Sequence, residues 1–251
     1  MSRALFVSDI HISSPDDANY ALFMRFLEKC LLIGVTDLFL LGDIFDLWIS
    51  DRRYFTGRYQ EVIARIRQLV ACGVRIHYFE GNHDLDLRRF WQHQLGVHVY
   101  SEAAYFSLGG LRLRVEHGDQ MDPSDQGYLF LRWLLRTPLL VLMQRYLPDW
   151  TVKWIGQRAS RVSREYTSQV KVSTDTRACG IIRDHALRAY RQAPFDIIVS
   201  GHVHVREDAT YGVESSEIRC INLGTWLKEE GRILELNGKS TRLMSVGEFL
   251  Q

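Results

Sequence analysis

The sequence contains five short clusters of residues that can bind metal ions: Asp9-Ile10-His11, Gly42-Asp43, Gly81-Asn82-His83-Asp84, His117-Gly118-Asp119 and Gly201-His202-Val203-His204. Together they offer carboxylate, amide and imidazole groups. A mixed set of oxygen and nitrogen donors suits manganese, iron, zinc or nickel better than magnesium, which prefers oxygen, or copper, which often draws on sulfur. The residue types therefore predict a metal centre with seven ligands: Asp9, His11, Asp43, Asn82, His117, His202 and His204.

Each cluster directly follows an apolar run, and this position decides where its side chains lie in the fold. The runs are rich in Val, Ile, Leu and Phe, the pattern of buried strands, and they comprise residues 4–8, 37–41, 75–80, 111–116 and 195–200. Between the early runs, residues 21–33 and 59–71 show the i, i+3, i+4 apolar spacing of amphipathic helices. The alternation predicts an α/β fold with substantial parallel pairing, in which ligands bind beyond the carboxyl ends of the strands. We therefore expect all five clusters to converge on one site.

The spacing within the clusters leads to two finer predictions. Asp9 and His11 are two residues apart, as are His202 and His204, and alternate residues of a strand point to the same face. Gly42 has no side chain and is expected to leave room for the Asp43 carboxylate and the metals. Taken singly, such motifs are more often turns or incidental strand residues, but five in this order are not expected by chance.

Composition limits the class of protein. The chain has 251 residues, 46% of them hydrophobic, which predicts one large domain or one domain with an insertion. Its 31 basic and 30 acidic residues nearly cancel, so net charge gives no reason to expect nucleic-acid binding. Four scattered cysteines are expected to be buried reduced thiols, and neither a signal peptide nor a long apolar stretch is present. We expect a cytoplasmic protein.

Residues 127–171 break the alternation of strands and helices. The first part combines large apolar side chains such as Leu134, Leu135 and Leu139 with Arg132 and Arg136, and the second part is mainly basic. This pattern predicts a helical insertion over the site that is apolar on one side and basic on the other. An amphipathic helical pair that packs on the core would explain the apolar residues equally well.

The five clusters, in this order, resemble the DxH, GD, GNHD or GNRD, H and GHxH pattern of the calcineurin-like metallophosphoesterases over about residues 4–226. The resemblance implies a sandwich of two mixed β-sheets flanked by helices, a single domain over residues 1–251 with residues 127–171 as a helical cap. It also implies two divalent metal ions, with manganese expected. One would be bound by Asp9, His11, Asp43 and His204, and the other by Asp43, Asn82, His117 and His202.

Two such cations, about 3.5–4 Å apart, lower the pKa of a bridging water, and the resulting hydroxide attacks phosphorus. His83 follows Asn82 and is expected at the edge of the site, where it can hydrogen-bond a phosphate oxygen or protonate the leaving group. Asp84 is expected either to orient His83 or to cap the turn after the strand.

Three further motifs are similar to those of the UDP-2,3-diacylglucosamine pyrophosphatases: residues 42–49 (GDIFDLWI), His117-Gly118-Asp119 with Asp125-x-Gly127-Tyr128, and Leu223-Gly224-Thr225-Trp226. This likeness implies hydrolysis of UDP-2,3-diacylglucosamine to UMP and 2,3-diacylglucosamine 1-phosphate, a step in lipid A synthesis. The apolar cap would receive the acyl chains, and cap Arg or Lys residues would meet phosphate. The implied substrate contacts are Asn82, His83, Asp125, Tyr128, Arg164, Lys171 and His202.

The chain departs from that narrower family at two places. His83 stands where the family usually has an arginine that contacts phosphate, and Ser163–Ser168 with Lys171 replaces its lysine-containing serine motif. A broader phosphodiesterase or phosphomonoesterase is therefore an alternative. A non-catalytic scaffold is a second alternative, against which the seven intact ligands argue. We expect a nucleotide-linked glycolipid substrate and peripheral attachment to the inner membrane surface, without a specific nucleic acid or an obligate protein partner.

Overall fold

The computed structural model describes residues 2–49, 51–137, 139, 151, 175–227 and 230–251. Two β-sheets lie face to face between layers of helices. The strands are β1 (Arg3–Val7), β2 (Asp37–Leu40), β3 (Trp48–Ile49), β4 (Arg75–Phe79), β5 (Asp84–Leu85), β6 (His98–Tyr100), β7 (Ala104–Leu108), β8 (Leu111–Val115), β9 (Ile197–Ser200), β10 (Arg206–Val213), β11 (Ser216–Leu223), β12 (Arg232–Asn237) and β13 (Ser240–Ser245).

The helices follow the amphipathic patterns of the sequence. They are α1 (Ala18–Leu32), α2 (Arg53–Arg58), α3 (Gln60–Ala71), a π-helical turn (Arg88–Gln92), α4 (Gln126–Leu135), α5 (Asp175–Gln192) and α6 (Val246–Leu250). The two helices predicted at residues 21–33 and 59–71 are confirmed as α1 and α3. Helix α1 begins earlier than predicted because the Asp17 side chain accepts the Asn19 N–H at 3.0 Å and caps it. Among the described helices, none combines the length and the apolar composition needed to cross a bilayer.

Both of these sheets are mixed, and β3 and β5 form a separate two-stranded parallel sheet. The six-stranded sheet has the order β13-β12-β1-β2-β4-β6, in which β1, β2, β4 and β6 are parallel. The five-stranded sheet has the order β10-β11-β9-β8-β7, in which β8, β9 and β11 are parallel. The predicted α/β sandwich is confirmed. Because β1, β2, β4, β8 and β9 each end in one of the five clusters, the topology brings those clusters to one edge of the sandwich.

The core between the sheets is apolar and tightly packed. Phe6 and Phe39 stack with ring centroids 4.3 Å apart, and Val115 and Val199 contribute from the second sheet. Burying one such Phe side chain stabilises the fold by about 1.5–3 kcal/mol. A second core lies under α1 and α3, and a third lies under α5. These three cores fix the strands from which the site is built.

The prediction of buried thiols holds for Cys30 and Cys220 only. Cys72 is exposed just beyond α3, and Cys179 is half-buried on α5, where its thiol donates to Glu207 at 2.9 Å. None of the four cysteines forms a disulfide bond. Helix α4 occupies the start of the predicted cap, and most of residues 127–171, including Arg164 and Lys171, lie outside the described residues. The cap as a whole stays a prediction.

Candidate metal centre

The predicted ligands sit in left-handed turns at the strand ends, not within the strands. Five of them have positive φ angles, which are uncommon for residues other than glycine: Asp9 (51°), His11 (53°), Asp43 (52°), His202 (66°) and His204 (59°). The two-residue spacing predicts that strand alternation points Asp9 and His11, and likewise His202 and His204, to the same face of a strand. That prediction is wrong, because these residues lie in turns beyond the strands. The side chains converge because the chain turns sharply immediately after each strand, a conformation that costs on the order of 1 kcal/mol per residue and persists only when its surroundings enforce it.

Hydrogen bonds between neighbouring loops enforce these turns. The Asp9 N–H donates to the Gly42 carbonyl at 3.1 Å, and the His11 N–H donates to the Asp43 carbonyl at 3.0 Å. The Asp9 carbonyl accepts the Trp226 N–H and the Thr225 hydroxyl, both at 3.0 Å. The loop after β11 thus holds the first ligand in place.

One group of donor atoms consists of Asp9, His11 and His204, with Asp43 beside it. The His11 Nε2 lies 3.2 Å from His204 Nε2 and 3.9 Å from Asp43 Oδ2. Asp9 Oδ1 lies 3.2 Å from His204 Nε2, and it accepts no hydrogen bond among the described residues. The other Asp9 oxygen, Oδ2, accepts from the Ser8 hydroxyl and from the His202 N–H. Oδ1 and the two Nε2 atoms are therefore the ones presented to a cation.

The second group consists of Asp43, His117 and His202, with Asn82 between the two imidazoles. Asn82 Oδ1 lies 3.0 Å from His202 Nδ1 and 3.3 Å from His117 Nε2. His117 Nδ1 donates to the Leu41 carbonyl at 2.7 Å, which leaves Nε2 as the ligand atom.

Asp43 lies between the two groups. Its Oδ1 accepts the His83 N–H at 2.9 Å. Its Oδ2 lies 3.9 Å from His11 Nε2 and 3.7 Å from His117 Nε2. Oδ2 is thus the atom placed to contact ions in both groups. The donor set fits two divalent metal ions that share Asp43.

Glycines allow these loops to approach closely. A side chain on Gly42 would put its Cβ 2.4 Å from His117 Nδ1, and one on Gly81 would put it 2.1 Å from Asp43 Oδ1. The prediction for Gly42 is therefore corrected: it admits the His117 imidazole, and Gly81 admits the Asp43 carboxylate.

Burial and neighbouring charges shift the pKa values of several metal ligands. Burial raises the pKa of Asp43 to about 6, against the opposing charges of His83 and His117. It lowers the pKa of His202 to about 3, and the nearby His117 adds to that effect. For His117, burial is outweighed by the Asp43 and Asp9 carboxylates, which raise its pKa to about 9. Divalent cations would take over the role of these protons, because metal ligands bind in their deprotonated forms.

His83 lies at the edge of the metal centre, as predicted. Its Nδ1 contacts the Asp46 carbonyl at 3.0 Å, and since a carbonyl only accepts, Nδ1 carries a proton. The opposite nitrogen, Nε2, lies 4.0 Å from Asp43 Oδ2 and faces the metal ligands.

Asp84 anchors the turn, the second of the two interpretations considered. Its carboxylate accepts the N–H groups of Asp43 (3.0 Å), Ile44 (3.0 Å) and Gly81 (2.7 Å), and the Tyr78 hydroxyl at 2.6 Å. Those four bonds hold together the two loops that carry Asp43 and Asn82. The predicted catalytic role of Asp84, orienting His83, is therefore corrected: Asp84 fixes the conformation of these loops.

Two of the predicted substrate contacts have other roles in the structure. Asp125 caps α4, because its Oδ1 accepts the Tyr128 N–H at 3.0 Å. The Tyr128 hydroxyl donates to Asp119 at 2.7 Å, and its ring lies 5.9 Å from that of His202. Tyr128 is therefore at the site, but its proton is committed to Asp119.

Three residues support the ligands although the sequence did not predict this role for them: Ser8, Tyr78 and Thr225. Ser8 precedes Asp9 directly, and that adjacency is the only sequence signal for it. The Tyr78 hydroxyl donates to Asp84 and the Thr225 hydroxyl donates to the Asp9 carbonyl, and neither contact has a signal in the sequence.

The chain is similar to several known proteins. The family model described as calcineurin-like phosphoesterase matches residues 2–206. A UDP-2,3-diacylglucosamine hydrolase from Stutzerimonas stutzeri is 29% identical over 88% of this chain and 90% of its own length. A protein of the same name from Pseudomonas aeruginosa is 27% identical over 95% and 96%. A dimetal phosphatase structure from Danio rerio has a TM-score of 0.48 and 14% identity, covering 98% of this chain and 99% of its own. Because the family model covers most of the chain, the protein belongs to the calcineurin-like phosphoesterase family and is a metal-dependent phosphoesterase.

Proposed function

We propose that this enzyme hydrolyses the pyrophosphate bond of UDP-2,3-diacylglucosamine to UMP and 2,3-diacylglucosamine 1-phosphate. The observation that carries the proposal is the similarity, over about nine-tenths of both chains, to a relative named for this substrate. The proposal includes one catalytic domain with residues 127–171 as a cap, and manganese as the metal.

The reaction adds water to one phosphorus and breaks its bond to the bridging oxygen, which leaves with the other phosphate. Two divalent ions, when bound, supply an activated water and neutralise phosphate charge. Asp43 Oδ2 faces both metal groups and would help to hold both ions. His83 keeps its Nδ1 proton on the Asp46 carbonyl and directs Nε2 toward the site. In the imidazolium form, which carries a proton on both nitrogens, His83 can give the Nε2 proton to the leaving oxygen and become the neutral Nδ1–H ring.

The outer face of α4 supports a lipid-linked substrate. Phe130 is 61% exposed, Trp133 is 62% exposed and Leu139, just beyond the helix, is 67% exposed. Such a group of large apolar residues suits acyl chains or a bilayer surface. We include peripheral attachment to anionic membranes in the proposal. Sedimentation with vesicles that contain an anionic lipid should carry the protein down at low salt, and a protein that stays in the supernatant would refute the attachment.

One observation favours a second candidate, a phosphodiesterase of broader specificity. His83 occupies the position at which the narrower family usually has arginine. An imidazole that shares its Nδ1 proton with a backbone carbonyl offers one nitrogen to the substrate, whereas arginine offers a two-pronged phosphate clamp.

Phosphorus NMR of the Mn²⁺-loaded protein with UDP-2,3-diacylglucosamine tests the two candidates. We expect UMP to appear, and we expect Asp43→Ala to abolish its release. Metal-dependent cleavage of bis-p-nitrophenyl phosphate without any UMP would favour the broader phosphodiesterase. Absence of both activities in metal-loaded, folded protein would contradict both candidates.

A further inference from the structure

One face of α4 carries basic side chains toward the metal centre. Tyr128 and Arg132 are four residues apart on the helix, and Arg136 follows at the same spacing, so the three share a face. Each guanidinium nitrogen of Arg132 donates one hydrogen bond: Nε to Asp119 at 2.7 Å, Nη1 to Glu102 at 3.1 Å and Nη2 to the Ser101 carbonyl at 2.8 Å. These three bonds attach α4 to the neighbouring loops.

Arg136, one turn further along, differs from Arg132 in the hydrogen bonds of its guanidinium. Its Nε lies 3.6 Å from Glu80 Oε2, beyond the 2.7–3.2 Å range of a hydrogen bond. Within the part of the chain that the structure describes, its buried Nε and Nη2 donate no hydrogen bond. The other Glu80 oxygen accepts the Leu87 N–H at 3.1 Å, which holds the carboxylate where it is. Glu80 thus supplies a counter-charge, while Nε and Nη2 of Arg136 keep no acceptor among the described residues.

Two carboxylates near Arg136, those of Glu80 and Asp119, adjoin ligands of the second metal group in the sequence. Glu80 lies two residues before Asn82, and Asp119 lies two residues after His117. The ring of Tyr128, on the same helix face, is 5.9 Å from that of His202. The Arg136 side chain retains 19% exposure, so it is not sealed in the core.

Buried donors without partners are unfavourable, and an anion that accepts from them removes that cost. A guanidinium matches two oxygens of a tetrahedral phosphate with parallel N–H bonds. We propose that Arg136 binds a phosphate group of the substrate at the second metal group. The inference deepens the proposed function, because it rests on a phosphoester being bound at this centre.

A purely structural role is the competing explanation. Arg136 ends α4, where a cation stabilises the helix dipole, and its charge offsets that of Glu80. Removing Arg136 alone would confuse the two roles, since the uncovered Glu80 carboxylate would itself repel phosphate. Removing both charges separates them.

The test is calorimetric titration of the Mn²⁺-loaded protein with inorganic phosphate, for the wild type, Arg136→Met, Glu80→Gln and the double variant. We expect Arg136→Met to weaken phosphate binding by about tenfold or more. The double variant should bind phosphate about tenfold more weakly than Glu80→Gln does. Neither of these two variants has the Glu80 carboxylate to repel phosphate, but only the double variant lacks the Arg136 guanidinium. Arg136→Lys should bind with intermediate affinity, since lysine keeps the charge but not the fork.

Arg219→Met is the matched control, because Arg219 also pairs with a carboxylate, that of Asp208, on strands β10 and β11 away from the centre. Its phosphate affinity should equal that of the wild type, and Mn²⁺ binding and near-ultraviolet circular dichroism should show that every variant is folded and loaded. A double variant that binds phosphate as tightly as Glu80→Gln would overturn the proposal. Binding of inorganic phosphate does not depend on which ester the enzyme cleaves, so failure of the UDP-2,3-diacylglucosamine assay leaves this test intact.

Discussion

Single hydrogen bonds determine which atom of each side chain faces a metal ion. The Ser8 hydroxyl and the His202 N–H occupy Asp9 Oδ2, so Oδ1 is presented. The Leu41 carbonyl fixes the His117 proton on Nδ1, so Nε2 is presented. Supporting contacts of this kind set the orientation and basicity of a ligand, and losing one typically costs 10–100-fold in metal affinity, on the order of 1–3 kcal/mol.

Asp84 is the residue at which this support is most concentrated. We expect Asp84→Asn to lower the free energy of unfolding by about 3 kcal/mol, because an amide N–H would then face backbone N–H groups that now donate to a carboxylate. Mn²⁺ affinity should fall by at least about tenfold, since Asp43 loses its anchor. Urea unfolding and calorimetry measure the two effects.

Asp208→Asn serves as the control, because Asp208 pairs with Arg219 in a partly exposed ion pair worth about 1 kcal/mol or less. Unchanged metal affinity in Asp84→Asn would show that the turn holds Asp43 without this carboxylate. The sequence left two roles open for Asp84 and could not decide between them, because two of its donors, Asp43 and Ile44, lie about 40 residues earlier in the chain.

At the scale of elements, strand ends could be predicted and turn conformations could not. Apolar runs stopped by Gly or Asp mark the ends of β1, β2, β4, β8 and β9, and parallel pairing then brings their clusters together. The left-handed turn at Asp9 depends on bonds from Gly42 and Trp226, which adjoin it only in the fold. The family resemblance predicts that Asp125 contacts substrate. The same carboxylate can instead cap a helix, and in the structure it caps α4.

Helix α4 depends on Arg132 for its attachment to the metal-ligand loop. Arg132→Met would remove three hydrogen bonds and leave the buried Asp119 carboxylate with Tyr128. We expect the amides of residues 126–135 to exchange faster with deuterium, and the free energy of unfolding to fall by about 3 kcal/mol. Arg242→Met, in an exposed pair with Glu248, should change stability by less than about 0.5 kcal/mol. Unchanged exchange in α4 would show that other contacts hold this helix.

At the scale of the whole molecule, the metal centre joins the two sheets. Asp9 and Asp43 follow strands of the six-stranded sheet, whereas His117 and His202 follow strands of the five-stranded one. Ions bound by all four would therefore link the halves of the sandwich at the edge where the loops are strained. A metal that binds only the folded chain adds its binding free energy to the stability of the fold.

Removing the metal should therefore destabilise the entire protein, not only the site. Relative to chelator-treated protein, Mn²⁺ at about 100 times its dissociation constant should raise the free energy of unfolding by about 2.7 kcal/mol for each ion bound, measured by urea denaturation. In Asp43→Asn, the same Mn²⁺ concentration should give less than half of that gain, because the oxygen facing both groups loses its charge. Asp208→Asn should keep the full gain. Equal stabilisation of Asp43→Asn and the wild type would mean that Asp43 does not join the two groups, and that each group binds its ion independently of the other.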